Sequence, residues 1–125
     1  VETTKILVEA VNQCSKKPEK FLSSSASGYF GNRGDEILTE LSAPGDNFLA
    51  EVCIKWEQAT EQLTKKVQLV IFRTGIVLHP DNGALEQLLK PIKWYVGGSL
   101  GTGNQYFCWI HVTDWKRFLI FALLK

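Results

Sequence analysis

Apolar positions recur at helical spacing from the start of the chain. Ile6, Leu7, Ala10 and Val11 share one face of residues 2–13, which predicts an amphipathic helix. The polar, proline-containing stretch 16–20 breaks it. Residues 21–25 (FLSSS) read as a short strand running into a serine-rich turn, and 28–47, rich in Gly, Asp and Asn, as a long irregular loop. The clearest helical stripe follows: Phe48, Leu49, Val52, Cys53, Trp56, Ala59 and Leu63 predict a helix over 48–63, with Asp46 or Asn47 as its cap. Residues 67–72 (VQLVIF) are mostly apolar, as expected of a buried parallel strand. Pro80, Asp81, Asn82 and Gly83 predict a turn. A short helix is expected to start at Ala84, with Pro91 ending it. Residues 97–103 form a glycine loop and 106–112 alternate like a strand. Asp114 is placed to cap a last helix over 115–124. Alternating helices and strands argue for an α/β fold with a parallel sheet.

Composition narrows the function classes. The 125 residues suit one domain, and a hydrophobic share of 45% is enough to build a core. Fourteen basic residues stand against 13 acidic ones with no basic stripe, so nucleic acid is not an expected partner. The longest apolar stretches, 67–72 and 118–124, are far short of the roughly 20 residues of a membrane helix, so no membrane is expected either. The first ten residues carry acidic charge and no long apolar core, unlike a signal peptide. Cys14, Cys53 and Cys108 are odd in number and widely spaced, which argues against a zinc site or a disulfide framework. A reducing compartment is the expectation, the cytoplasm or an organelle interior. The chain has no Met and starts at Val, so the expectation is that it is part of something longer.

Ser24, Ser25, Ala26, Ser27, Gly28, Tyr29, Phe30 and Gly31 form a strand-end block that resembles the Ser-Ser-x-x-x-Tyr-Gly motif of extended short-chain dehydrogenases/reductases. The run GDEILTELSAPGDNFLAEVCIKWE (34–57) is similar to one atypical, epimerase-like branch, described as nucleoside-diphosphate-sugar epimerases. The resemblance continues through FRTGIVLHPDNGAL (72–85), VGGSLGTGNQ (96–105) and WIHVTD (109–114), six blocks in order once the acidic GDE (34–36) and the helix FLAEVCIKWE (48–57) are counted apart. It implies the C-terminal half of a Rossmann-like, doubly wound parallel sheet with part of a small substrate domain. Within a single partial domain over 1–125, residues 1–78 would belong to the Rossmann-like half, 79–108 to the substrate domain, and 109–125 to a return strand and helix. The family's opening GxxGxxG turn, which seats the dinucleotide pyrophosphate on a helix N-terminus, has no counterpart before Val1. The glycines at 97, 98, 101 and 103 lack the strand-before, helix-after context of such a turn.

The resemblance also implies site residues. In the superfamily a strand-end Ser polarises the substrate oxygen, and a Tyr in YxxxK exchanges the proton, helped by the Lys charge. Ser25 fits the Ser position with Ser24 beside it; the alternative is that both serve backbone groups in a turn. The Tyr and Lys positions fall on Phe48 and Val52, so FLAEV replaces YxxxK. Tyr29 is then the nearest acid/base candidate, or a packing residue. Ser24, Arg73, Thr74, Gly75 and Ile76 are expected to bind the cofactor, the last four at its nicotinamide end; alternatively Arg73 pairs with an acidic side chain and Gly75 serves a turn. Trp109 and His111 are expected to contact substrate, with a structural hydrogen bond as the other role for His111. The implied activity is that of an NAD(P)-dependent epimerase or reductase acting on a small-molecule or sugar-nucleotide substrate, completed by a dinucleotide-binding half outside this chain. NAD and NADP are equally open. The alternatives are a non-catalytic binding or regulatory protein, or a fragment. An open sheet edge predicts self-association or association with another polypeptide.

Overall fold

The computed structural model describes residues 1–99 and 101–125, and its elements alternate as an α/β fold. They divide into two compact units, Val1–Arg73 and Thr74–Lys125.

In the first unit, α1 (Glu2–Gln13) leads to β1 (Lys20–Ala26), a 3-10 turn (Ser27–Phe30), α2 (Phe48–Gln58) and β2 (Gln68–Thr74). Helix α1 buries Val8. Its last turn is stitched to the segment before β2 by Asn12, whose Nδ2 donates to the Gln62 carbonyl (2.7 Å) and whose Oδ1 accepts from Thr64 N (2.9 Å). Strands β1 and β2 form a two-stranded sheet, entered by a bond from Gln68 N to the Glu19 carbonyl (2.9 Å). Asn47 rather than Asp46 caps α2, its Oδ1 accepting from Ala50 N at 2.9 Å.

Two features of α2 differ from the sequence reading. The helix ends at Gln58, not Leu63, because buried Thr60 captures the Glu57 carbonyl with both its amide (2.9 Å) and its hydroxyl (2.6 Å). This is the local competition for backbone acceptors that makes Thr a poor helix continuer. The buried face is also different: Ala50 and Cys53 are inside, whereas Phe48 is 75% exposed and Leu49 and Trp56 are also exposed. Small residues at positions 50 and 53 let the helix approach its neighbours closely.

The 28–47 segment is not wholly irregular. It opens with the 3-10 turn and then returns on itself, Gly45 N bonding the Tyr29 carbonyl at 2.9 Å. A Cβ on Gly45 would lie 2.7 Å from the Cα of Gly31, so the base of this loop closes on two glycines.

In the second unit, β3 (Ile76–Leu78) pairs in parallel with β4 (Trp109–His111), Ile76 opposite Trp109, Val77 opposite Ile110 and Leu78 opposite His111. Helices α3 (Ala84–Lys93) and α4 (Val112–Leu124) pack on these strands. Strand β3 has no counterpart in the sequence reading, since three residues between a Gly and a Pro-containing turn give no periodicity. The alternating run 106–112 yields a strand only over 109–111.

Pro91 does not end α3, which runs to Lys93. The proline φ suits a helix, and Pro91 stays in α3 at the loss of the N–H bond that another residue would make to the Gln87 carbonyl. The stop comes at Tyr95, in the left-handed region (φ 58), where Tyr95 N bonds Ile92 O (3.0 Å) and Val96 N bonds Pro91 O (3.0 Å). Asp114 does not cap α4. That role belongs to His111, whose Nδ1 accepts from Thr113 N at 3.2 Å, while Asp114 pairs with Arg117 one turn on.

Among the described residues, the buried apolar side chains (Val8, Ala50, Cys53, Ala59, Val67 and Phe72) all belong to the first unit. No helix among them is long and apolar enough to cross a membrane.

Candidate functional site

Two side chains from separate strands of the first unit, Ser25 and Arg73, converge on Glu57, and Tyr29 lies against Arg73. Strand β1 carries Ser25 inward, 4% exposed, because alternate residues of a strand face alternate sides, and Ser23 and Ser25 are the two buried ones. The Ser25 hydroxyl donates to Glu57 Oε1 at 2.7 Å. Glu57 comes from the last turn of α2, Arg73 from the end of β2. Arg73 grips the carboxylate with two nitrogens, Nε to Oε1 and Nη2 to Oε2, each at 2.9 Å. Its Nη1 donates to the Glu40 carbonyl in the 31–47 loop, also at 2.9 Å. The guanidinium carbon lies 3.6 Å from the centre of the Tyr29 ring, a cation–π arrangement, and 5.1 Å from that of Phe30. Tyr29 and Phe30 are themselves packed edge to face.

The electrostatics follow from this packing. Burial pushes the Glu57 carboxyl up, but the hydrogen bonds from Arg73 and Ser25 and the guanidinium charge outweigh it, holding the group below the usual carboxylate range. Hydrogen bonding to Glu57 raises Arg73 further, against the effect of its own burial. Both side chains are mostly shielded, 14% and 21% exposed, so the pair is a partly desolvated ion pair with two parallel bonds rather than a loose surface bridge. A cavity of about 330 Å³ adjoins it, lined by Tyr29, Glu57, Gln58 and Glu61 with Ile54, Leu69 and Ile71 on the apolar side.

The sequence candidates separate on this frame. Ser25, Tyr29 and Arg73 are brought together. Ser24 points outward, its hydroxyl making one long contact (3.4 Å) to the Ser25 carbonyl. Thr74 and Ile76 flank Gly75. A Cβ on Gly75 would stand 2.6 Å from the Cys108 carbonyl oxygen, so this glycine admits the chain's own backbone. Trp109 and His111 lie in the second unit on β4, both exposed, and His111 is occupied as a helix cap. Phe48, which the sequence reading sets at the superfamily Tyr position, offers no proton. The glycine loop 97–103 includes Leu100, which lies outside the described residues. No cluster of His, Cys, Asp or Glu suited to a metal occurs among the described residues.

Sequence reasoning missed Glu57. Its only visible signal was an acidic residue next to Trp56, in line with the expected buried stripe. The pairing with Arg73, 16 residues away, needs the fold to be seen.

No protein-family model matches the chain. Curated relatives do. An epimerase family protein of Arabidopsis thaliana, the chloroplastic SDR39U1 homolog, is 34% identical over 98% of this chain and 36% of its own length. One from Mycobacterium bovis is 38% identical over 83% of the chain and 35% of its own. One from Staphylococcus saprophyticus is 37% identical over 98% and 42%. Among solved structures, human epimerase family protein SDR39U1 (isoform 2) with NADPH superimposes with a TM-score of 0.91 at 31% identity, over 98% of this chain and 42% of that one. The nucleoside-diphosphate sugar epimerase of Corynebacterium glutamicum gives 0.86 at 38%, over 96% and 26%. The chain belongs to the epimerase family. It spans only 35% to 42% of the length of these curated relatives. The family's Rossmann-like fold accounts for the α/β order seen here, and the Ser25–Glu57–Arg73–Tyr29 group lies inside the matched region.

Proposed function

We propose that this chain contributes the nicotinamide-side part of an NAD(P)-dependent, epimerase-like oxidoreductase acting on a small-molecule or sugar-nucleotide substrate. The observation that carries the reading is the match to an NADPH-bound family structure over 98% of the chain at a TM-score of 0.91. Bound NADPH would supply the hydride. Ser24, Arg73 and Thr74, near the ends of β1 and β2, are the residues proposed to meet the nicotinamide end, since open α/β sheets take ligands at strand ends. The pyrophosphate does not fit the described residues: among their helices only α3 follows a strand through a turn that ends on a glycine, and that turn, 79–83, holds Gly83 alone instead of a glycine-rich loop. Its seat has to come from the family's dinucleotide-binding half. Trp109 and His111 are proposed as substrate contacts of the second unit.

With Phe48 and Val52 in place of the usual pair, proton handling falls to Tyr29, which has the Arg73 cation on its ring face. A second reading is favoured by one observation. The only proton on Ser25 is committed to Glu57, so the residue meant to polarise a carbonyl has no donor left. This supports a protein that binds the dinucleotide without turning it over.

Titration of the full-length protein with NADPH, followed by nicotinamide fluorescence, tests the common part; no binding up to millimolar cofactor would sink both readings. Enzyme-bound NADPH that is then oxidised on adding candidate sugar-nucleotide ketones, with loss in Tyr29→Phe, supports the first. Stable bound NADPH under all such additions supports the second.

A further inference from the structure

We infer that Glu57 is the positioning residue of this site: its carboxylate, fixed by Ser25, holds the Arg73 guanidinium over the Tyr29 ring and against the Glu40 carbonyl of the 31–47 loop. The geometry is over-determined in one direction. Glu57 receives three hydrogen bonds, from Ser25 Oγ at 2.7 Å and from Arg73 Nε and Nη2 at 2.9 Å. Arg73 in turn spends a third N–H on the Glu40 carbonyl, 33 residues away in sequence. A guanidinium has five N–H groups. One on each Nη therefore stays available for an acceptor oxygen of a ligand, a carbonyl or a phosphate. Lysine could not do this, having neither the fork that matches a carboxylate nor a plane to lie on an aromatic ring.

Ser25 acquires a role different from substrate polarisation. Nearly buried and donating to Glu57, it stops the carboxylate from rotating away from Arg73. The mid-portion of the loop depends on the same group. Its base is closed by the Gly45–Tyr29 backbone bond, and Arg73 ties Glu40 to the strand end. Removing Glu57 would free the guanidinium to swing into solvent, and ring face and loop would lose their anchor together.

The functional consequence rests on the cofactor reading above, whereas the geometry does not, so two readouts are needed in the full-length protein. The first is cleavage by a glutamate-specific protease after Glu36 or Glu40 in the loop, without cofactor. The second is NADPH affinity. Glu57→Gln keeps size and one acceptor but cannot hold both nitrogens. It is expected to speed loop cleavage and to weaken NADPH by about ten- to a hundredfold, the scale of a lost charged hydrogen bond. Arg73→Gln should do the same. The double variant should be no worse than either single one, because Glu57 acts only through Arg73. Should Glu57→Gln fail to fold, Arg73→Lys, which keeps the charge and loses the fork, is expected to give the same pair of effects.

Unchanged loop cleavage in folded Glu57→Gln or Arg73→Lys would overturn the proposal, as would additive losses in the double variant. Faster cleavage in the variants, together with a wild type that never binds NADPH, would leave the positioning role standing and remove the cofactor reading.

Discussion

At the residue scale, the site turns on one carboxylate whose ionised form is favoured by its partners. Because hydrogen bonds and charge hold Glu57 below the ordinary range, the folded protein binds its proton less readily than the unfolded chain does. The stability this contributes is fully present above the unfolded value of about 4.3 and is lost as the pH falls through the depressed folded value. Wild type should therefore melt above Glu57→Gln at neutral pH, and the gap should close as the pH drops below about 4. Thermal melts of the two proteins at stepped pH check this; a gap that stays constant into acid would mean the charge of Glu57 is not what matters. The serine block and Tyr29 were legible as candidates through the family resemblance of residues 24–31, and Ser25 and Tyr29 do lie beside Glu57 and Arg73 respectively. Arg73 was legible as a cofactor candidate, and pairing with an acid was the alternative weighed for it. The partner itself was not, since a lone Glu on a helix looks like solvated surface until its contacts are known.

Elements show the same division between what periodicity carries and what it does not. Helices α1 and α2 and strands β1 and β2 have enough residues to display a period, and they appear where the pattern places them, α2 being cut short by Thr60. Short elements and ends are decided by single contacts. Strand β3 exists because Gly75 lets residue 108 approach, and Ile76 N then bonds the Cys108 carbonyl at 2.9 Å. Nothing in a three-residue run announces that. The consequence is testable: in Gly75→Ala the new methyl would sit 2.6 Å from the Cys108 carbonyl oxygen, so β3 and β4 must part. A loss of about 1–3 kcal/mol is expected, the range for forcing a methyl into a filled space. Denaturant unfolding measures it, and hydrogen exchange should show the Ile76 amide losing protection first. A neutral Gly75→Ala would mean that the approach is not needed for the β3–β4 pair.

Across the whole molecule, burial is uneven. The first unit holds the buried apolar side chains among the described residues, and the second leaves its largest apolar surface outward. On α4, Ile120, Phe121, Leu123 and Leu124 are all more than half exposed, and so are Trp94, Tyr95 and Val96 beyond α3. A run of this kind exceeds the scattered apolar residues of an ordinary surface, and water disfavours leaving it uncovered. The two-stranded sheets add strand edges, where pairing with another chain can begin. In the family relatives the matched region is well under half of the chain, so other chain is present there that has no counterpart in these 125 residues. The 125-residue polypeptide by itself is therefore expected to associate. Sedimentation velocity over a tenfold concentration range should show the weight-average coefficient rising with concentration. Phe121→Glu, which puts a charge in the middle of the exposed α4 face, should shift the distribution toward monomer while leaving the Ser25–Glu57–Arg73 group of the first unit intact. A single monomeric species at every concentration would show that the apolar surface of the second unit is tolerated in water, and that association does not follow from it.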